Sequence, residues 1–244
     1  MKYFKNKNEI QEIINKKNKP MKKILSLLTI SFLILNSCSD SNSPNNDSNT
    51  SVKDIDGNSY QVIQICNSTW LKSNLIVSKY RNGDVIPQVS DPTQWASLTT
   101  GAWCYYSNDT ANGPIYGKLY NWYAITDSRG LAPVGWHVPS DLEFTTLSNC
   151  LGGESIAGGK MKAITLWDNP NTGATNSSGF TSIPGGVRYS NGTFQFKGYS
   201  SNFWTSTPNN TTVFFRNNVS INEILFRGTD GNKNSALSVR CLKD

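Results

Sequence analysis

The residues of this chain best suited to chemistry are five cysteines and a single histidine. Four of the cysteines, Cys66, Cys104, Cys150 and Cys241, lie in the long C-terminal part of the chain. An even number of cysteines in an exported domain indicates disulfides, and four cysteines allow three pairings. Buried free thiols are the alternative. A zinc site is not expected, because the chain has one histidine and no Cys-x-x-Cys pair.

The histidine, His137, directly precedes a predicted helix start. It could act as a general base, but no serine-nucleophile motif or paired carboxylate accompanies it in the sequence. We therefore expect a structural role, in which the ring bonds to the backbone and fixes the angle at which the helix leaves. No catalytic residue and no cofactor are predicted.

One loop, residues 167–176, is rich in side chains that carry oxygen. Calcium usually takes six to eight oxygen ligands, several of them carboxylates, and this loop supplies one carboxylate, so no metal is predicted. A polar surface loop is the alternative to a ligand-binding one. The candidate ligand-contacting residues are Trp167, Asp168, Asn169, Asn171 and Asn176.

The charge of the chain is unevenly distributed. The formal net charge is +6, and residues 1–37 hold eight lysines and two glutamates, which account for the whole excess. The remainder is neutral by formal count and therefore lacks the basic patch that nucleic-acid binding requires. No nucleic-acid partner is predicted.

The N-terminal segment has the pattern of an export signal. Lys22 and Lys23 precede the apolar run Ile24–Leu35, which at 12 residues is shorter than the roughly 20 that span a bilayer. The next residues, Leu35-Asn36-Ser37-Cys38, resemble the bacterial lipobox, in which the cysteine is acylated. An ordinary secretory signal with a chance cysteine is the alternative. Met21 could open this signal by itself, so residues 1–20 could belong to a start assigned too early.

The resemblance to a lipobox implies that Cys38 carries a lipid and that the chain is anchored to a membrane. Residues 38–51 follow as a Ser- and Asn-rich stretch without further apolar residues, which predicts a disordered tether. The predicted location is the bacterial cell envelope, at the outer membrane, on its periplasmic or surface side. Residues 52–244 then form one folded domain.

That domain contains signals for short strands and one or two helices. Asp56-Gly57-Asn58 and Asn191-Gly192 each separate two β-prone runs and predict hairpins. Ser140 and Glu143 have capping-box spacing at a helix start, and a second helix is predicted over 155–166. Few helices among many short strands indicate an α+β fold. The further predicted strands are Asn202–Ser206, Thr212–Arg216, Ile221–Arg227 and Ala236–Leu242.

Several segments together resemble the Fibrobacter succinogenes major paralogous domain, and they occur in order across nearly all of residues 52–244. They are Asp54–Tyr60, Thr69–Leu75, Gly117–Trp122, Gly135–Asp141, Gly179-Phe180, Pro184–Gly186, Phe203–Thr207 and Ser238–Cys241. The resemblance implies no particular activity. One departure is Ala132-Pro133-Val134, which stands where many relatives have a cysteine before the Gly-Trp-His segment.

The same pattern is similar to the C-type-lectin-like fold, including its formylglycine-generating-enzyme branch. In lectin-like folds the first helix is linked to the last strand, which implies a Cys150–Cys241 disulfide and leaves Cys66–Cys104. The reactive-cysteine chemistry of the formylglycine-generating enzymes is not expected, because no second cysteine stands near Cys241 in the sequence.

Three functions remain open. The favoured one is a non-catalytic, lipid-anchored binding or adhesion module with a glycan or protein ligand. The second is an enzyme on the same scaffold that uses His137 or a cysteine. The third is a structural component of an envelope assembly. A pocket with His137 beside a carboxylate would favour the enzyme, an aromatic or polar groove the binding module, and a large flat apolar face the assembly component.

Overall fold

The structure, a computed structural model, describes residues 51–244. The predicted signal, Cys38 and all but the last residue of the predicted tether lie outside the described residues. Within residues 51–244 no helix combines the length and the apolar character needed to cross a membrane.

The described domain is α+β, as the sequence predicts, with three antiparallel sheets and short helices. The sheets have the strand orders β1-β2-β3-β13-β6, β4-β5-β12-β7-β8 and β11-β10-β9. The strands are β1 Ser51–Lys53, β2 Ser59–Ile65, β3 Ser68–Leu71, β4 Trp103–Cys104, β5 Leu119–Asn121, β6 Trp136–His137, β7 Gly185–Arg188, β8 Phe194–Lys197, β9 Ser200–Asn209, β10 Thr212–Val219, β11 Phe226–Gly231, β12 Ala236–Leu237 and β13 Leu242–Lys243.

The helices of the described part are short, and among them only α4 and α5 exceed two turns. They are α1 Pro92–Ala96, α2 Gly113–Tyr116, α3 Trp122–Ile125, α4 Asp141–Cys150 and α5 Glu154–Met161, and two single 3₁₀ turns cover Tyr106–Asn108 and Thr110–Asn112. The predicted capping box at the start of α4 is confirmed. The Glu143 amide donates to Ser140 Oγ at 3.2 Å, and the Ser140 amide donates to Glu143 Oε2 at 2.7 Å.

Both predicted hairpins are confirmed. Strand β1 pairs with β2 in the register Val52↔Tyr60, and β7 pairs with β8 in the register Val187↔Gln195. Gly57 and Gly192 each adopt a φ of +84°, a left-handed conformation that tight turns require and that glycine adopts most readily.

The predicted strand Ala236–Leu242 is wrong, because it is split into β12 and β13. Two further predicted boundaries are wrong where one turn packs on α5. Helix α5 ends at Met161 rather than 166, and residues 221–225 form a turn rather than a strand. The turn packs its backbone on α5, where the Gly159 amide donates to the Glu223 carbonyl at 2.9 Å. A side chain at Gly158 would come within 2.4 Å of the Ile224 carbonyl oxygen, so this contact needs a glycine.

The core contains tryptophans of the resemblance segments, and three arginines, Arg188, Arg216 and Arg240, are fully buried. Trp122, Trp136 and Trp204 are 8%, 5% and 0% exposed. The final segment alternates as expected at Val239 and Cys241, but Ser238 and Arg240, on its other face, are also buried. Arg240 therefore needs internal partners.

Arg240 finds those partners among backbone carbonyls and one amide. It donates to the Leu71 carbonyl at 3.0 Å, to the Phe180 carbonyl at 2.6 Å and to Asn74 Oδ1 at 3.0 Å. Its guanidinium carbon also lies 4.3 Å from the centre of the Phe180 ring. Burial, partly offset by Cys241, lowers the pKa of Arg240 to about 9.

The predicted disulfide pairing is wrong. Cys66 and Cys150 are bonded, with Cα atoms 6.7 Å apart, whereas Cys104 and Cys241 are buried free thiols. Cys150 lies on the exposed side of the end of α4, facing the β2–β3 turn that carries Cys66. Cys241 is 0% exposed, in a core cluster separate from the one that α4 contacts.

Candidate functional site

Most of the predicted ligand loop is committed to internal bonds. Trp167 is buried and donates from Nε1 to the Ser182 carbonyl at 3.1 Å. Asn171 donates to the Ala163 carbonyl at 3.1 Å, and Asn176 accepts from the Thr181 amide at 2.9 Å. Asn169 is exposed. The structure therefore does not gather these five residues into one ligand site.

Asp168 is the member of that loop that lies beside other side chains able to contact a ligand. Its amide donates to the Gly198 carbonyl at 2.7 Å. A Cβ at Gly198, where φ is +84°, would lie 2.7 Å from Asp168 Oδ1, so the carboxylate packs directly on this glycine. Gly198 occupies the third position of a turn closed by the Tyr199 amide, which donates to the Phe196 carbonyl at 3.0 Å.

The second residue of this turn, Lys197, extends over two tyrosines. Its Nζ lies 5.4 Å from the ring centre of Tyr106 and 5.8 Å from that of Tyr116, within cation–π range. The same ammonium donates to Asn112 Oδ1 at 3.2 Å. Lys197 is exposed, whereas the two tyrosines are half-buried. We call Tyr106, Asn112, Tyr116, Asp168 and Lys197 the Tyr–Lys site.

Three separate parts of the chain hold this site in place. Tyr106 opens a 3₁₀ turn and packs edge-on against Phe194 of β8, with ring centres 5.4 Å apart. Asn112 donates from Nδ2 to the Tyr106 carbonyl at 2.9 Å, which ties it to the same turn. Tyr116 ends α2. The site therefore needs the folded domain to exist.

The ionisation of the site suits hydrogen bonding. Burial raises the pKa of Tyr106, partly offset by a backbone hydrogen bond to Lys197, so its phenol remains neutral near pH 7. Burial, and then the charge of Asp168, raises the pKa of Tyr116. A neutral phenol can both donate and accept a hydrogen bond, a cation only donates and a carboxylate only accepts. The site therefore offers every kind of polar partner beside two aromatic faces.

Four of the five residues in this site are not predicted from the sequence. Tyr106, Tyr116 and Lys197 are common surface residue types and follow no spaced motif, and Asn112 ends a short 3₁₀ turn. One short segment of the sequence does indicate part of this site. Phe196-Lys197-Gly198-Tyr199 places aromatic residues around a glycine turn beside the predicted Asn191-Gly192 hairpin.

His137 does not bond to the backbone as predicted; its ring bonds to two carboxylates. Nδ1 lies 2.6 Å from Asp244 Oδ1 and Nε2 lies 2.9 Å from Glu143 Oε1. The other oxygen of Glu143 accepts from the amide and the hydroxyl of Ser140. His137 thus joins the capped start of α4 to the end of β13.

This contact favours the protonated ring. Burial lowers the pKa of His137, but hydrogen bonds to Asp244 and Glu143 outweigh burial, so the pKa is raised. Burial opposes ionisation of Glu143, yet its bonds from Ser140 and His137 lower its pKa. An imidazolium bonded at both nitrogens has no lone pair with which to take a proton. The serine hydroxyl points to Glu143 rather than to the ring, so the group does not form a nucleophile–base pair.

The two thiols are poorly suited to reaction. Burial raises the pKa of Cys104 to about 11, and that of Cys241 to about 12. Both therefore remain protonated at neutral pH, whereas reactive cysteines need the thiolate. No set of three or more His, Cys, Asp or Glu side chains is arranged to hold a metal ion in the range 51–244.

The described part of the chain is thus an α+β domain with three buried arginines and a polar site on its surface that contains two tyrosines. The Fibrobacter succinogenes major domain matches residues 63–243, and the chain belongs to this family. Comparisons with curated proteins and with solved structures each return no match.

Proposed function

We propose that this protein is a non-catalytic binding module of the bacterial cell envelope, with a glycan as its ligand. The observation that carries the proposal is the Tyr–Lys site, in which two half-buried phenol rings lie beside a cation, a carboxylate and an amide. Tyrosines give a binding surface a rigid, amphipathic contact area at low cost in conformational entropy. A few polar groups set among aromatic rings are typical of sites that bind small ligands.

The chemistry of the site matches a sugar ring better than an apolar ligand. One face of a pyranose carries C–H groups, which pack on an aromatic face, and its hydroxyls need both donors and acceptors. Lys197 donates, Asp168 accepts, and the neutral phenols of Tyr106 and Tyr116 can do both. The enzyme alternative has less support, because both nitrogens of His137 are engaged by carboxylates.

The experiment is a glycan array probed with the full chain in detergent, followed by titration of the best glycan. Tyr116→Ala removes a ring and should weaken binding about tenfold or more, on the scale of a buried aromatic contact. Lys197→Gln should weaken it several-fold. Lys72→Gln alters an exposed lysine directly after β3, which belongs to another sheet, and should leave binding unchanged. An array without hits, or variants that all bind like the wild type, would remove the basis for this proposal.

We further propose that the protein is exported and anchored through a lipid on Cys38, at the outer membrane. The lysine pair, the short apolar run and the lipobox-like Leu35–Cys38 support this proposal. Several acyl chains make such an anchor stable. Metabolic labelling with a palmitate analogue should tag the wild type and not Cys38→Ala. Label that persists in the variant would contradict lipidation at this residue.

The finer fold that we propose is C-type-lectin-like. Two features support it: the first and last strands of the domain lie in one sheet, and the His137–Ser140 segment leads into the longest helix. An experimental structure superposed on lectin-like domains would test it. A different connectivity of the shared strands would refute it.

A further inference from the structure

A second surface feature is a cavity that lies apart from the Tyr–Lys residues. It has a volume of about 170 Å³ and lies between the β1–β2 turn and residues 131–134. Its walls include Ile55, Val77, Leu131 and Val134. Val77 and Leu131 are buried and form a fixed part of the wall, whereas Ile55 is 51% exposed and Val134 is 82% exposed.

The size of the cavity limits its occupant. A cavity of roughly 150 Å³ lined by aliphatic side chains stays dry and takes up benzene, so one of this size accepts a group of about six carbons. Ile55 and Val134 line this cavity and are exposed. Covering them with an apolar group is favourable by about 25 cal/mol per Å² of buried apolar surface. These features favour a short aliphatic chain.

The charges beside the cavity favour an anion. Lys53 and Arg81 both line it, and within the described range neither forms an ion pair with a carboxylate. Arg81 is held by the carbonyls of Ala132, at 2.6 Å, and Trp136, which fix its guanidinium without neutralising it.

The one carboxylate in the wall, Asp54, is already saturated by internal donors. It accepts from the Asp56 and Asn58 amides at 3.0 Å each, and from the Tyr60 hydroxyl at 2.6 Å. Asn58 adds a side-chain bond at 2.9 Å. Asp54 is therefore a support of the β1–β2 turn rather than a partner for a bound cation, and the exposed charge at this cavity is positive.

We propose that this cavity binds the anion of a short, unesterified aliphatic acid of about six carbons. The alkyl chain lies between Ile55 and Val134, and the carboxylate pairs with Lys53 and the outer edge of Arg81. This inference does not depend on glycan binding.

The test is titration of hexanoate into the full chain in a detergent of low charge, followed by NMR of the valine and isoleucine methyl groups. Hexanoate should bind with a dissociation constant in the millimolar range or tighter, which suits eight non-hydrogen atoms. The methyl groups of Val77 and Val134 should shift, and those of Ile164, which is 69% exposed beyond the end of α5 and does not line the cavity, should not. Hexanamide has the same shape without the charge and should bind about fivefold more weakly.

Matched variants test the charged part and the apolar part of the cavity separately. Lys53→Gln should weaken hexanoate binding about fivefold and leave hexanamide unaffected, whereas Lys72→Gln should change neither. Val134→Ser should weaken both ligands, with Ile164→Ser as the control. Equal binding of hexanoate and hexanamide, or no saturable shift at Val134, would overturn the proposal. A Gly-Gly-Leu peptide that binds tenfold more tightly than hexanoate would instead assign the cavity to peptide carboxyl termini.

Discussion

Breaking the Cys66–Cys150 disulfide should destabilise the domain strongly, and the loop that it closes gives the size of the effect. The two cysteines are 84 residues apart in sequence. In the chain-entropy treatment, a loop of that length raises the free energy of unfolding by about 4.5 kcal/mol at 25 °C, and measured effects are typically about 2–4 kcal/mol. Both cysteines are exposed, so serine at either position leaves no cavity and buries no hydroxyl.

The assay is urea unfolding of Cys66→Ser, Cys150→Ser and the double variant, with and without a reductant. Each single variant should lose the same free energy as the double, because one bond is lost in every case. A reductant should destabilise the wild type to the level of the variants and should not affect the variants further. Cys104→Ala and Cys241→Ala are the controls, and they should remain sensitive to the reductant.

Two results would refute this reasoning. Non-reducing peptide mapping could recover Cys150 linked to Cys241, the pairing that the resemblance to lectin-like folds implied. Alternatively, Cys241→Ala could abolish the effect of the reductant. Either result would mean that the end of α4 meets the last strand rather than the β2–β3 turn.

Three further predictions concern the buried and capped groups. Arg240→Lys should cost about 3 kcal/mol in urea unfolding, because a lysine cannot replace the fork of charge-assisted hydrogen bonds; a loss below about 1 kcal/mol would contradict this. Ser140→Ala should cost about 1 kcal/mol through loss of the helix cap, whereas Ser140→Thr should retain most of it. His137→Gln should destabilise by about 0.5 kcal/mol at about pH 5.5, since the ring is 37% exposed and its ion pairs are screened. Because the folded-state pKa of His137 is raised, its contribution is complete below the ordinary histidine value and is lost as the pH rises through the folded-state pKa. The difference between wild type and variant should therefore shrink towards pH 9, and a difference that grows instead would refute the assigned contact.

Features that depend on a few neighbouring residues could be predicted from the sequence. The two hairpins turn at Gly57 and Gly192, where the tight turn requires a positive φ. The helix cap forms through two hydrogen bonds between Ser140 and Glu143, which are three residues apart. The energy that selects each of these structures lies within its own segment. They could therefore be predicted without any knowledge of the tertiary fold, and the structure confirms them.

Features that depend on contacts between distant segments could not be predicted. The end of α5 is set by Lys162, whose ammonium donates to carbonyls of Thr172, Val219 and Asn222, up to 60 residues away. The Cys66–Cys150 bond depends on where a hairpin lies relative to the end of a helix. The Tyr–Lys site likewise joins three segments, and its one predicted member, Asp168, gave no indication of the other four.

The contacts of Arg240 join several of the resemblance segments and are separate from the Tyr–Lys site. Its donors bind Leu71 and Asn74 of one resemblance segment and Phe180 of another, while Asn74 also donates to Ser238 Oγ at 3.3 Å. A buried cation without a carboxylate partner must have all of its acceptors in place, so Arg240 holds these segments together. The residues of the Tyr–Lys site stand outside the resemblance segments. A ligand must therefore be sought from the chemistry of such residues, and variants at Tyr116 and Lys197 can test it without disturbing the centre of the domain.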